Sequence, residues 1–164
     1  MPFVVRPIVL MLSALAVGSI FGYPAGMELP RPALVKGERF TLRPVALEDE
    51  TRVVLFFYSA SWCAPCQQTG KALKELYPRL KAQAQGLELI TYALDSSPRA
   101  RADYLRKTAY PWPALSPELL EEKSWLAKIE GGTPQFQAFA VGAETLTAIT
   151  PPADLKTVMS NLFP

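Results

Sequence analysis

Histidine does not occur among the 164 residues. Its absence removes the commonest general base and the commonest metal ligand, so Ser-His-Asp hydrolysis, Cys-His proteolysis and histidine-ligated metal sites fall away. Cysteine occurs only twice, too few to supply the four ligands of a structural zinc site within one chain. Charge of one sign is lacking too. Seventeen basic side chains stand against fifteen acidic ones, and no run of Lys or Arg suggests a nucleic-acid surface. No internal repeat or low-complexity segment occurs. An apolar fraction of 49% is that of an ordinary globular protein, and the length suits one domain with a real core. Proline is plentiful: 16 residues are about double the usual share of roughly 5%, which means many stiff turns and connections.

The N-terminal segment carries no charge between Arg6 and Glu28, and Ile8 to Phe21 is an almost unbroken apolar run behind a single positive residue. That length fits the core of a secretory signal, whereas a spanning helix wants about 20 residues. Gly22, Pro24 and Gly26 break the helix, and small residues up to Ala25 suit a signal peptidase. The expectation is cleavage after Ala25, with an uncleaved N-terminal anchor as the rival. Either way the domain belongs outside the cytoplasm, periplasmic or secreted, where dithiols are open to oxidation.

Residues 26–50 read as an arm with one or two short strands, followed by one domain over 51–164. Val53 to Tyr58 is a β-branched and aromatic run, the composition of a strand buried on both faces. Beyond the cysteines, Leu73, Leu76, Tyr77 and Leu80 mark one face of a helix, which Pro78 is expected to kink or shorten. Leu87 to Leu94 is a second buried strand. Asp95-Ser-Ser-Pro98 opens a helix to about Lys107. Residues 109–113 should be extended, because each proline biases its predecessor away from helix. Ser116-Pro117-Glu118 opens a further helix carrying Leu119, Leu120, Trp125, Leu126 and Ile129, with Trp112 and Trp125 in the core. Gln135 to Val141 and Thr145 to Ile149 form a hairpin at the sheet edge, and Ala153 to Leu162 is a closing helix. The order β-α-β-α-α-β-β-α implies an α/β fold of three layers around one mixed sheet.

The chemistry concentrates in Ser59-Ala-Ser-Trp-Cys-Ala-Pro-Cys66. Both cysteines sit where a central strand turns into a helix. There the unpaired N–H groups and the positive end of the helix dipole stabilise a thiolate on Cys63. Cys66, one turn further in, is shielded and less acidic. Cys63 then attacks a partner disulfide and Cys66 resolves the mixed disulfide. Ala64 and Pro65 lie between them, and Pro65 stiffens the first turn and tunes the potential. A structural staple closing so small a loop stabilises little. A haem attachment would need histidine at position 67, where Gln67 stands.

The string Phe57 to Cys66 resembles the active site of the thioredoxin superfamily, and most of all its tryparedoxin and nucleoredoxin branch. The stretch after Leu89, with Asp95 closing a strand and Pro111-Trp112 following, is similar to that branch as well. The resemblance implies a thioredoxin-like three-layer fold and a cis-proline facing the cysteines. Thr133-Pro134 stands in the matching place, with Thr133 presenting its backbone to a bound substrate strand. Trp62 is read as a lid and contact surface beside the dithiol. One departure stands out. Thioredoxin carries a buried aspartate six residues before the first cysteine, where this chain has Phe57. Asp95 is the best substitute as proton relay for Cys66, against the plainer reading of a surface cap on the next helix.

The function implied is an exported thiol–disulfide oxidoreductase of the protein-disulfide reductase type. It needs no cofactor beyond the Cys63–Cys66 disulfide. Its partners are protein thiols and disulfides and an upstream redox partner, with membrane attachment possible through the N-terminal segment. The alternatives are a binding or metal-handling module on the same fold and a thiol peroxidase.

Overall fold

The computed structural model describes residues 28–30, 34–38, 41–120 and 132–162. The N-terminal signal or anchor therefore lies outside the described residues, as does most of the helix expected after Ser116, including Trp125. Pro117–Leu120 begins that stretch as a short 3-10 turn.

The centre of the molecule is strand β4, Val53–Ser59, buried along its whole length. It runs parallel to β5, Leu87–Ala93, and antiparallel to β7, Gln135–Val141. The apolar run over 53–58 needs cover on both faces, and alternate side chains supply it. Val53, Leu55 and Phe57 enter one apolar cluster, while Val54, Phe56 and Tyr58 enter another. Helix α1, Ala64–Gln83, links β4 to β5. Helix α2, Pro98–Thr108, links β5 to the short parallel strand β6, Ala114–Leu115. Both crossovers carry the chain one strand further in the same direction, which puts their helices on one face. Leu73 of α1, Leu105 of α2 and Val158 of α3, Leu155–Leu162, accordingly share the first cluster.

The arm is not separate from the domain. Its strands β2, Leu34–Glu38, and β3, Thr41–Val45, extend the sheet beyond β6. Strand β1, Glu28–Pro30, pairs with β8, Thr145–Ala148, at the other end. The sheet has eight strands in the order β1-β8-β7-β4-β5-β6-β2-β3. The hairpin β7–β8 is thus inside the sheet. Edge strands expose a row of unpaired N–H and C=O groups, and here the arm satisfies them on both sides. Pro30 sits in an edge strand, where a missing N–H is tolerated.

Two local expectations fail for identifiable reasons. Of the two outcomes expected at Pro78, shortening does not occur, since α1 continues to Gln83. One lost helical N–H is outweighed where Tyr77 and Leu80 pack against the core on either side of it. Ala109 is left-handed rather than extended (φ 40°), because it terminates α2 with its N–H on the Leu105 carbonyl. The proline bias falls on Tyr110, not on Ala109.

Candidate active site

Three strand ends converge on the cysteine pair. The register places Gln135 opposite Tyr58 and Ala93 opposite Ser59, so the start of β7 and the end of β5 flank the exit of β4. The chain leaving β4 turns over Ala60–Trp62, with the Cys63 N–H on the Ala60 carbonyl, and enters α1 with Cys63 as its N-cap. Its Sγ accepts from the Cys66 N–H at 3.2 Å. The first turn of α1 holds Pro65 and no acidic residue, so nothing there cancels the positive helix terminus.

Cys63 and Cys66 are joined as a disulfide, with Sγ atoms 2.06 Å apart. Cys66 is fully buried, whereas Cys63 keeps 5% of its surface. The outer sulfur is the one a partner can reach. Across from it the Thr133–Pro134 bond is cis. The Thr133 hydroxyl donates to Cys63 Sγ at 3.2 Å, and the Thr133 carbonyl oxygen lies 3.8 Å from the same sulfur. Gly132, at φ 88°, adopts the left-handed conformation that leads into this segment. An open groove of about 650 Å³ runs past the disulfide, lined by Trp62, Ala64, Pro65, Leu94 and Thr133. Trp62 forms its rim, 68% exposed, while Trp112 is buried in the core. Among the described residues no three Cys, Asp or Glu side chains cluster as metal ligands.

Asp95 is buried, not a surface cap. The cap of α2 is Ser97, whose hydroxyl accepts from the Ala100 N–H at 3.2 Å. The Asp95 carboxylate instead accepts from the Ser61 N–H at 3.2 Å and from the Ser61 hydroxyl at 2.5 Å. It therefore ties the end of β5 to the turn that carries the cysteines. Arg101, also buried, donates to the Asp95 backbone carbonyl at 3.0 Å and holds that corner from beneath. Where thioredoxin has its aspartate, Phe57 is fully buried and stacks on Phe136 at 5.1 Å.

Sequence reasoning overlooked a chain of buried hydroxyls behind the site. The Ser59 hydroxyl bonds that of Tyr104, which lies 3.4 Å from the Tyr110 hydroxyl. Burial raises the pKa of both tyrosines, so both stay protonated through the physiological range. The signal that could have revealed them is positional: Ser59 ends the central strand, and polar residues at parallel strand ends collect on one rim of the sheet.

Residues 26–119 match the AhpC/TSA family. The chain is 32% identical over 98 residues to probable nucleoredoxin 1 of Arabidopsis thaliana and 33% identical over 72 residues to probable nucleoredoxin 3 of Oryza sativa subsp. japonica. These alignments cover 58% and 44% of this chain but only 16% and 15% of the relatives. Among solved structures, tryparedoxin II from C. fasciculata superposes with a TM-score of 0.56 at 25% identity, over 79% of this chain and 80% of that one. Thioredoxin from Wuchereria bancrofti shares the fold, with a TM-score of 0.54 at 23% identity over 82% and 97% of the two chains. With a disulfide-bonded cysteine pair at the head of α1, the chain belongs to the AhpC/TSA family of the thioredoxin superfamily, alongside the nucleoredoxins and tryparedoxins.

Proposed function

We propose that this protein is an exported thiol–disulfide oxidoreductase that reduces protein disulfides, with Cys63 as nucleophile and Cys66 as resolving thiol. The observation that carries the reading is the setting of Cys63 Sγ. It belongs to the less buried cysteine of the pair, it receives the Cys66 N–H and the Thr133 hydroxyl, and it lines a groove. Two donors aimed at one sulfur favour its anionic form in the reduced protein. The Cys63 thiolate attacks one sulfur of the substrate disulfide, and the other leaves as a thiolate that takes up a proton. Cys66 then gives up its proton and attacks Cys63 Sγ, releasing the second substrate thiolate. Two electrons have passed to the substrate, and the Cys63–Cys66 disulfide awaits reduction by an upstream dithiol.

Trp62, Thr133 and Pro134 line the approach of the substrate strand, while Ala64 and Pro65 shape the turn between the sulfurs. Asp95 is proposed to accept the Cys66 proton through water, since its carboxylate bonds Ser61 and neither sulfur. Residues 1–25 deliver the domain beyond the cytoplasm, as a cleaved signal or a retained anchor.

The test is the Cys66→Ser variant with the full-length protein. It should accumulate mixed disulfides with protein substrates through Cys63, released by dithiothreitol, while the wild type reduces insulin catalytically. A Cys66→Ser protein that captures nothing, with a wild type inert toward insulin, would defeat the proposal. Peroxide consumption surviving the loss of Cys66 would favour the peroxidase reading instead.

A further inference from the structure

We propose that a second depression beside the dithiol is an anion subsite that selects disulfides flanked by an acidic side chain, an inference that rests on the thiol–disulfide reading above. This depression, of about 210 Å³, shares no lining residue with the catalytic groove. It lies on the other side of the active-site turn, walled there by Ser61 and Gln67, whose side-chain amide donates to the Ser61 carbonyl at 2.7 Å. Gln67 directly follows Cys66, so whatever occupies the depression sits against the reacting segment.

Three cations converge on it: Lys71 and Lys74, one turn apart on α1, and Lys107 from the last turn of α2. No carboxylate is in the lining. Because the whole chain carries a net charge of only +2, this is a local concentration of charge, not a sample of a basic surface. Lys71 and Lys107 enter none of the ion pairs formed among the described residues. Lys74 spends its charge locally, donating to the Thr108 carbonyl at 2.5 Å and lying 5.2 Å from the centre of the Tyr110 ring. Asp95 reaches this region through Ser61, which already occupies its carboxylate.

Tyr104 and Tyr110 contribute to the same lining. Their chain with Ser59 contains three hydroxyl hydrogens and two links, so one O–H remains to donate elsewhere. Burial keeps both phenols neutral and therefore donors. Lysine ammonium groups and neutral hydroxyls together are a recognition set for a carboxylate. The volume is below the roughly 300 Å³ at which small-molecule pockets begin. It suits a single side chain, which favours an Asp or Glu a few residues from the substrate cysteine.

The test compares two synthetic peptide disulfides, identical except for Glu or Gln beside the cysteine, with glutathione disulfide as a third substrate. The wild type should show a kcat/KM about fivefold higher for the Glu peptide at low salt, a preference of the size attractive rim charges provide and that screening removes near 1 M salt. Lys71→Gln/Lys107→Gln should abolish the preference, leave the Gln peptide unaffected and leave the melting temperature unchanged. Lys107→Glu should shift it toward a Lys-flanked peptide. Equal rates for the Glu and Gln peptides in the wild type, or a preference that survives the double substitution, would overturn the subsite while leaving the dithiol reading standing. Slowing of glutathione disulfide alone would reassign the depression to a small anionic thiol and overturn the protein-substrate assignment. Inertness toward every disulfide would sink the underlying function as well.

Discussion

Glycine stands at position 70 because another side chain already fills the space. A Cβ there would lie 2.0 Å from the Tyr110 hydroxyl and 2.6 Å from its Cζ. The ring cannot step aside easily, since it stacks on Trp112 at 4.7 Å and meets Phe57 edge-on at 6.3 Å. Gly70→Ala should therefore destabilise the protein by about 1–3 kcal/mol despite alanine's better helix propensity, read from the midpoint of urea unfolding. An unchanged or raised midpoint would show that Tyr110 is free to move. Nothing in the sequence announces this pair, because Gly70 and Tyr110 meet only through the fold. Cys63 and Cys66 were legible because their chemistry is tied to residue type and spacing, whereas Thr133-Pro134 was legible only through the family resemblance. Asp95 was singled out for its place at a strand end, but its bond to Ser61 depends on how two parallel strands terminate together.

At the scale of elements, the signals that worked were local. The aromatic and β-branched run became β4, the Asp-Ser-Ser-Pro order opened α2, and the 3.6-residue spacing of Leu73, Tyr77 and Leu80 marked the inner face of α1, although Leu76, expected on the same face, is 49% exposed. What could not be read was long-range pairing. Val35 meets Ala114 and Leu29 meets Leu146 over long stretches of chain, and short strands of this kind form because a neighbouring edge offers hydrogen bonds, not because their own residues insist on it. The same logic explains α1. Its start is fixed locally by Cys63 and Pro65, while its passage through Pro78 is decided by burial against the sheet.

Among the described residues several phenols are buried or half-buried. Tyr77, Tyr92, Tyr104 and Tyr110 all have raised pKa values, with burial the largest cause in each, and that of Tyr92 reaches about 12. An unfolded tyrosine releases its proton near pH 10. Between about pH 10 and 12 the unfolded chain therefore binds fewer protons than the folded one, and stability falls as pH rises, by about 1.4 kcal/mol per unit for each such group at most. The melting temperature should hold steady up to about pH 9.5 and then drop steeply, with tyrosinate absorbance appearing together with unfolding. Tyrosines that all ionise smoothly near pH 10 in a folded protein would contradict this burial. The functional account rests on a different ionisation, that of the cap sulfur of α1. The most direct measurement is the pH dependence of Cys63 alkylation by iodoacetamide in the reduced Cys66→Ser protein. The expected midpoint lies well to the acid side of the roughly 8.5 of a free cysteine, and a midpoint at or above that value would show that the backbone and Thr133 do not stabilise the thiolate on which the reaction depends.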